Sequence, residues 1–169
     1  DALTWAGDTG AGDPFNGFLV QGSALLQTVT GSTSGVMEAC DAAIDAAVAY
    51  DSTFQTSSTV AIFLSYANFR ALQKELVAAN YFHYAAEAVG TNMELTFPGT
   101  SVRVIATEGL SASSNLYLAD TAHLHIGTNL ASEAEGIVAF YDMPSNSIML
   151  RSEFFYGTGV SKEIFEKAI

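Results

Sequence analysis

His123 and His125 stand two residues apart, with Asp120 just before them. On a strand, alternate residues share a face, so the two imidazoles and the carboxylate would gather at one edge. Two histidines and a carboxylate form a ligand set suited to zinc or a similar divalent ion. The plainer reading is preferred: polar side chains on the solvent face of an edge strand. The third histidine, His83, lies far off in the sequence. Cys40 is a second reactive group, and a thiol beside an imidazole can act as a nucleophile. It falls on the apolar stripe of a helix, where a free cysteine behaves as a small, inert hydrophobe.

Two further patterns carry chemistry elsewhere. The opening loop contains Asp8-Thr9-Gly10, the triplet of acid proteases. That chemistry needs a second carboxylate in a matching loop to share a proton. The chain holds no second Asp-Thr-Gly, so only a homodimer would supply it. The same loop lacks the Gly-Lys-Ser/Thr ending of a phosphate loop, and turn chemistry accounts for its glycines. The acidic pairs Glu133/Glu135 and Asp41/Asp45 lack the Asp-x-Asp-x-Asp-Gly frame of a calcium loop and read as solvated faces. No catalytic residue, cofactor site or metal site is expected, and the chain is read as a protein other than an enzyme.

The composition supports a packed domain. In 169 residues, 49% are hydrophobic and the mean hydropathy is +0.26, which supplies a core and excludes a disordered chain. Only 14% are charged, against about 25% in a typical domain. A surface so poor in charge is expected to be covered in part by neighbours. The net charge is −12, from 18 acids and 6 bases. That balance argues against phosphate contacts with nucleic acid and against anionic membranes. The single cysteine excludes an intrachain disulfide framework. No apolar run reaches the roughly 18 residues of a membrane span, and no signal peptide is visible. The chain begins at Asp1 without methionine, which reads as a processed product or a cut piece.

The elements alternate. Residues 1 to 34 are rich in Gly, Ser, Thr and Asp, yet Phe15, Phe18, Leu19, Leu25 and Leu26 imply a folded loop that packs on the body. Ser34 is expected to cap a helix running to Tyr50, with Val36, Cys40, Ile44 and Val48 as its buried stripe. Thr59 to Leu64 is apolar almost throughout and reads as a strand covered on both faces. Ser65 caps a second helix carrying Phe69, Leu72, Leu76 and Val77. Residues 80 to 93 read as a short helix or an aromatic loop. Pro98-Gly99 marks a turn, and Ser101 to Thr107 alternates with Val102, Val104 and Ala106 on one face. Asn115 to Leu118 and Ala122 to Ile126 are short strands. Glu135 to Asp142 and Asn146 to Tyr156 flank Met143-Pro144-Ser145 as a hairpin, and Ser161 to Ile169 is expected to be a terminal helix. Phe154-Phe155-Tyr156 puts aromatics on both sides of a strand, one side for the core and one for a subunit contact. The fold class is α+β, with a mixed or antiparallel sheet flanked by helices.

The order of these segments resembles the second half of a tailed-phage major capsid protein. Thr59 to Ala78 is similar to that family's axial-domain strand and helix. Phe97 to Leu110 is similar to its passage from target loop to strand to glycine. Leu124 to Leu130 and Asn146 to Val160 are similar to its strand before Gly-Thr-Asp-Leu and its returning strands. Trp5 to Asp8 with Phe15 to Phe18 is similar to the loop after its spine helix.

The resemblance implies an axial domain over residues 35–145. A glycine-rich opening loop over 1–34 would join it to the peripheral domain, and returning strands would occupy 146–169. The amino-terminal half, with its arm, extended loop and spine helix, would lie before Asp1. It implies a structural subunit of an icosahedral phage shell, assembled in the host bacterial cytoplasm into hexamers and pentamers around packaged DNA. The partners implied are other copies of the chain, with no specific nucleic-acid contact, no membrane, no small-molecule substrate and no cofactor. Subunit contacts are expected on the axial loops 80 to 100 and 127 to 135 and on the opening loop, with Phe82, Tyr84, Phe97 and Asn129 as candidates. Three alternatives stand beside it. One is an encapsulin-like compartment with protein cargo. The second is an aspartic-type hydrolase using Asp8-Thr9-Gly10, and the third is a secreted binding module.

Overall fold

A computed structural model of the chain describes residues 17–79, 93–111, 113–128, 137–144, 146–152 and 156–169. In chain order the helices and strands are α1 (Phe18–Gln21), β1 (Leu26–Val29), α2 (Val36–Tyr50), α3 (Thr53–Thr56), β2 (Val60–Leu64) and α4 (Tyr66–Ala78). They continue with β3 (Glu94–Thr96), β4 (Arg103–Ala106), β5 (Asn115–Asp120), β6 (Leu124–Thr128), β7 (Ile137–Asp142), β8 (Ser147–Ser152), β9 (Tyr156–Val160) and β10 (Ile164–Ala168). The architecture is α+β, as the sequence implies. Six strands form one mixed sheet in the order β1-β10-β5-β2-β4-β3. Two separate two-stranded ladders, β6-β9 and β7-β8, stand apart from it.

The sheet is built on β2, whose apolar run is covered on both faces. Val60, Ile62 and Leu64 point to the main core with α2 and α4. Ala61 is also buried, and Phe63 packs against a smaller cluster of Phe18, Leu110, Tyr117, Ala119 and Ile164. Register ties the strands together. Ile62 stands opposite Leu118 and Val104, Leu118 opposite Phe165, and Val104 opposite Leu95. These five side chains make one buried row across the sheet, on the face that receives the helices.

Helix α4 follows its sequence closely. The Ser65 hydroxyl accepts from Asn68 N–H at 3.2 Å, and Phe69, Leu72 and Leu76 are buried. Val77 stays exposed. Helix α2 differs in two ways. Its cap position is Gly35, not Ser34. Ser34 instead donates its N–H and hydroxyl to Glu38 (2.7 and 2.6 Å), and Glu75 of α4 accepts from the N–H groups of Val36 and Met37 (3.1 and 2.7 Å). A carboxylate from a neighbouring helix thus meets the positive end of α2. A Cβ at position 35 would lie 2.8 Å from the Glu75 carboxylate, so the glycine makes room for it.

The buried side of α2 is also turned from the expected stripe. Val36 and Cys40 are buried, but Ile44 and Val48 are only half-buried, while Ala39, Ala43 and Ala47 are fully enclosed. Alanine lets the helix backbone approach the sheet closely, so the small residues face inward and the larger ones flank them. The terminal helix expected over Ser161 to Ile169 is strand β10. It runs parallel to β1 and antiparallel to β5, in the interior of the sheet. Ile164 and Phe165 are buried on opposite faces, which strand alternation allows and a single helix face does not. The expected return strand Asn146 to Tyr156 contributes to two ladders, β8 on β7 and β9 on β6.

Replacing Ala43, which is fully buried between α2 and the sheet, tests this packing. Ala43→Leu should lower the unfolding free energy by about 1–3 kcal/mol. Urea denaturation followed by circular dichroism measures it, and an unchanged midpoint would contradict the close approach.

Candidate functional site

The histidine segment does not form the expected strand face. His123 ends a short 3-10 turn, Thr121–His123, nucleated by the Asp120 side chain accepting from Ala122 N–H, and His125 lies on β6. Both rings converge on one hydroxyl. His123 Nδ1 and His125 Nε2 each lie 2.9 Å from Ser161 Oγ, with the rings 6.5 Å apart and edge to face. A serine hydroxyl has one proton and donates to only one imidazole, so the other ring must present an N–H. The tautomers of the two histidines are therefore coupled through Ser161.

Asp120 is buried and otherwise engaged. Its Oδ1 accepts from the Thr59 hydroxyl (2.5 Å) and from Ala122 N–H (3.2 Å). Its Oδ2 lies 3.9 Å from His123 Nε2 and 3.8 Å from Lys162 Nζ. The order carboxylate, imidazole, hydroxyl resembles a nucleophilic triad in sequence of groups, but the acid is beyond hydrogen-bond reach of the ring. The histidines face Ser161 rather than a common empty point. Among the described residues, no three His, Cys, Asp or Glu side chains are placed to hold a metal ion.

Lys162 organises the neighbouring charges. Its ammonium donates to Thr53 Oγ1 (2.7 Å), pairs with Asp51 (3.2 Å) and lies 4.0 Å over the Phe54 ring. Asp51 also accepts from the hydroxyl and N–H of Thr53 (2.6 and 2.9 Å). The Thr53 hydroxyl, then its N–H and Lys162, hold the Asp51 carboxyl down to about 2. Cys40 is buried on α2, and burial pushes its thiol well above its ordinary pKa, with Asp41 and Glu75 adding to the effect. It is not an available nucleophile. An open groove of about 440 Å³ at the start of α2 holds Glu38 and Glu75, both already bonded to Ser34 and to the helix N–H groups.

The hairpin expected around Met143-Pro144-Ser145 carries a further feature, an apolar surface open to solvent. The β7-β8 hairpin exposes Phe140, Tyr141, Met143, Ile148, Met149 and Leu150, from 45% to 81%. Its turn is closed by Asn146 N–H donating to Met143 O (3.3 Å), with Asn146 at φ 51° and its side chain bonded to the Tyr141 hydroxyl. Register pairs Tyr141 with Ile148, Ala139 with Leu150 and Phe140 with Met149, so both faces of the hairpin are apolar. The signal was the unbroken run Ile148-Met149-Leu150, which alternation cannot hide on one face.

Of the contact candidates, Phe97 is 3% exposed and belongs to the main core, where its N–H donates to Val102 O. Phe82, Tyr84, Asn129, the Asp8-Thr9-Gly10 loop, the Glu133/Glu135 pair and the Phe154-Phe155 pair lie outside the described residues. Among the described residues, no helix is long and apolar enough to cross a membrane.

No protein-family model matches the chain, and no curated protein matches it. A solved structure of Mycobacterium phage Che8 is similar to it, with a TM-score of 0.57 at 15% identity. The likeness covers 85% of this chain and 53% of that chain, so this chain spans about half the length of the phage structure it matches. At this identity the likeness is one of fold.

The Asp51 cluster generates a test. A carboxyl with a folded pKa near 2 and an unfolded value of about 3.9 adds stability that is present above pH ~4 and lost as pH falls toward 2. Asp51→Asn should flatten that acid limb in thermal melts between pH 5 and 2. Parallel limbs in both proteins would contradict the assignment.

Proposed function

We propose that the chain is a structural subunit of a tailed-phage capsid shell, carrying the axial domain and part of the peripheral domain. The observation that carries this reading is the fold likeness to the Mycobacterium phage Che8 structure over 85% of the chain. The segment order in the sequence, which resembles a tailed-phage capsid protein, adds the finer part of the reading to this phage-related likeness. The subunit assembles with copies of itself into hexamers and pentamers and needs no cofactor. A surface with few charges and an exposed apolar hairpin suits a protein whose faces are covered by neighbours.

The acidic balance fits the same role. This chain carries a net charge of −12, and a shell wall of that sign repels phosphate and lets packaged DNA slide. Location in the virion, after assembly in the host cytoplasm, follows from this role.

Negative-stain electron microscopy tests the reading on protein expressed in the full open reading frame that contains this chain. Rings of five or six subunits, or closed shells, are expected. Dispersed monomers across salt and protein concentration would overturn it. The same preparation should leave duplex DNA unshifted in a gel at physiological salt, and tight retention of DNA would contradict the repelling wall.

A further inference from the structure

We propose that His123, His125 and Ser161 bind one divalent ion of the zinc, nickel or copper type, which ties β6 to the residue after β9. The inference goes beyond the shell-building reading and does not rest on it.

Imidazole suits these borderline ions, whereas calcium and magnesium take oxygen ligands. His123 Nδ1 and His125 Nε2 each lie 2.9 Å from Ser161 Oγ, so two imidazole nitrogens already converge on one oxygen. Metal–ligand bonds of about 2.1 Å, at right-angled to tetrahedral angles, set neighbouring donor atoms about 3.0–3.4 Å apart. The two nitrogen-to-oxygen separations stand close to that spacing. Small turns of the exposed rings therefore admit an ion beside the hydroxyl. The His123 side chain is 43% exposed and His125 is exposed, which leaves the remaining coordination positions to water. The backbone fixes the group. Ser161 N–H donates to the His123 carbonyl at 3.1 Å, next to the Leu124 and Val160 pair that opens the β6-β9 ladder.

Asp120 is a second observation that favours an ion. Its side chain is 6% exposed and is held by the Thr59 hydroxyl (2.5 Å) and Ala122 N–H (3.2 Å). Its Oδ2 lies 3.9 Å from His123 Nε2, the ring nitrogen that does not meet Ser161. A carboxylate behind a histidine sets the tautomer of a metal ligand: it favours the proton on Nε2 and leaves the Nδ1 lone pair for the ion. In the ion-free protein Ser161 then donates to His123 Nδ1 and accepts from His125 Nε2–H. Ion binding requires His125 to carry its proton on Nδ1 instead. Both rings stay neutral, so two neutral imidazoles release no net proton. Lys162 also approaches Asp120, at 3.8 Å, but Asp51 holds its ammonium at 3.2 Å, so two carboxylates offset that charge.

Isothermal titration calorimetry of the chain with zinc chloride at neutral pH tests the site. One ion per chain is expected. His123→Ala and His125→Ala should each weaken binding at least about tenfold, and His83→Ala should leave it unchanged. Both replaced rings lie outside the buried clusters, so circular dichroism should show folded variants. Zinc should raise the melting temperature of the parent and of neither variant, since an ion that binds the folded chain stabilises it. Acidification to about pH 5 should weaken binding, because protons compete for imidazole nitrogen. Unchanged affinity in Ser161→Ala would remove the hydroxyl from the proposed ligands. No heat and no thermal shift in the parent would overturn the site. Binding that survives both variants, or that is lost in His83→Ala, would place the ion elsewhere and overturn it as well. The shell reading stands or falls separately, on the rings and shells seen by electron microscopy.

Discussion

A row of side chains crossing five strands, Phe165, Leu118, Ile62, Val104 and Leu95, locks the register of the main sheet. A slip of one residue in any strand would turn its apolar set to the opposite face. Ile62 is the centre of the row, because β2 is buried on both sides and pairs parallel to β4 and antiparallel to β5. Everything else is placed relative to it. The alanine side of α2 and the Phe69-Leu72-Leu76 stripe of α4 cover one face. Phe18, Leu110 and Tyr117 fill the other. The turn after β5 then carries His123 toward Ser161, and Leu124 and Val160 of the β6-β9 ladder pack against the smaller cluster.

The few basic residues are used internally. Lys167 is 1% exposed, and its ammonium donates to the Gly31 carbonyl at 2.5 Å, holding the loop after β1 to the sheet. Lys162 joins Asp51, Thr53 and Asp120 beneath one ammonium, and Arg103 pairs with Glu94 across β4 and β3. Half of the chain's six bases therefore serve contacts within the fold. The acids that remain set the character of the outside.

Much of the architecture was legible in the chain, and the misses have physical causes. The run Thr59 to Leu64, the Ser65 cap and the alternation at Val102, Val104 and Ala106 each state a local rule that the tertiary structure obeys. The Pro98-Gly99 turn is present as well, with Gly99 at φ 76°. The buried side of α2 departs from the stripe of large residues because a short helix-to-sheet distance favours alanine over size. β10 misled because its neighbours come from far away in sequence. Nothing local says that Phe165 will stand opposite Leu118. The histidines do come together, but through Ser161, a residue with no marker of its own. The exposed hairpin was visible only as a strand pair, since a single chain's sequence does not say which apolar face lacks a cover.

The position of β10 has a consequence for how the protein is made. Of the six strands of the main sheet, β10 comes last in sequence, yet it lies between β1 and β5. During synthesis the other five strands of that sheet emerge first, and none of them can fill the gap. Until β10 arrives, β1 has no strand partner, and one edge of β5 stands open. Such edges invite pairing with another chain. Closure also joins strands far apart in sequence, Leu26 with Ile164, which makes it slow. A newly made chain thus passes through a stage in which the β5 edge that β10 later covers is unprotected. Crowding many nascent copies together is most hazardous at that moment, and chaperone protection during translation would matter more for this topology than for one that closes strand by strand.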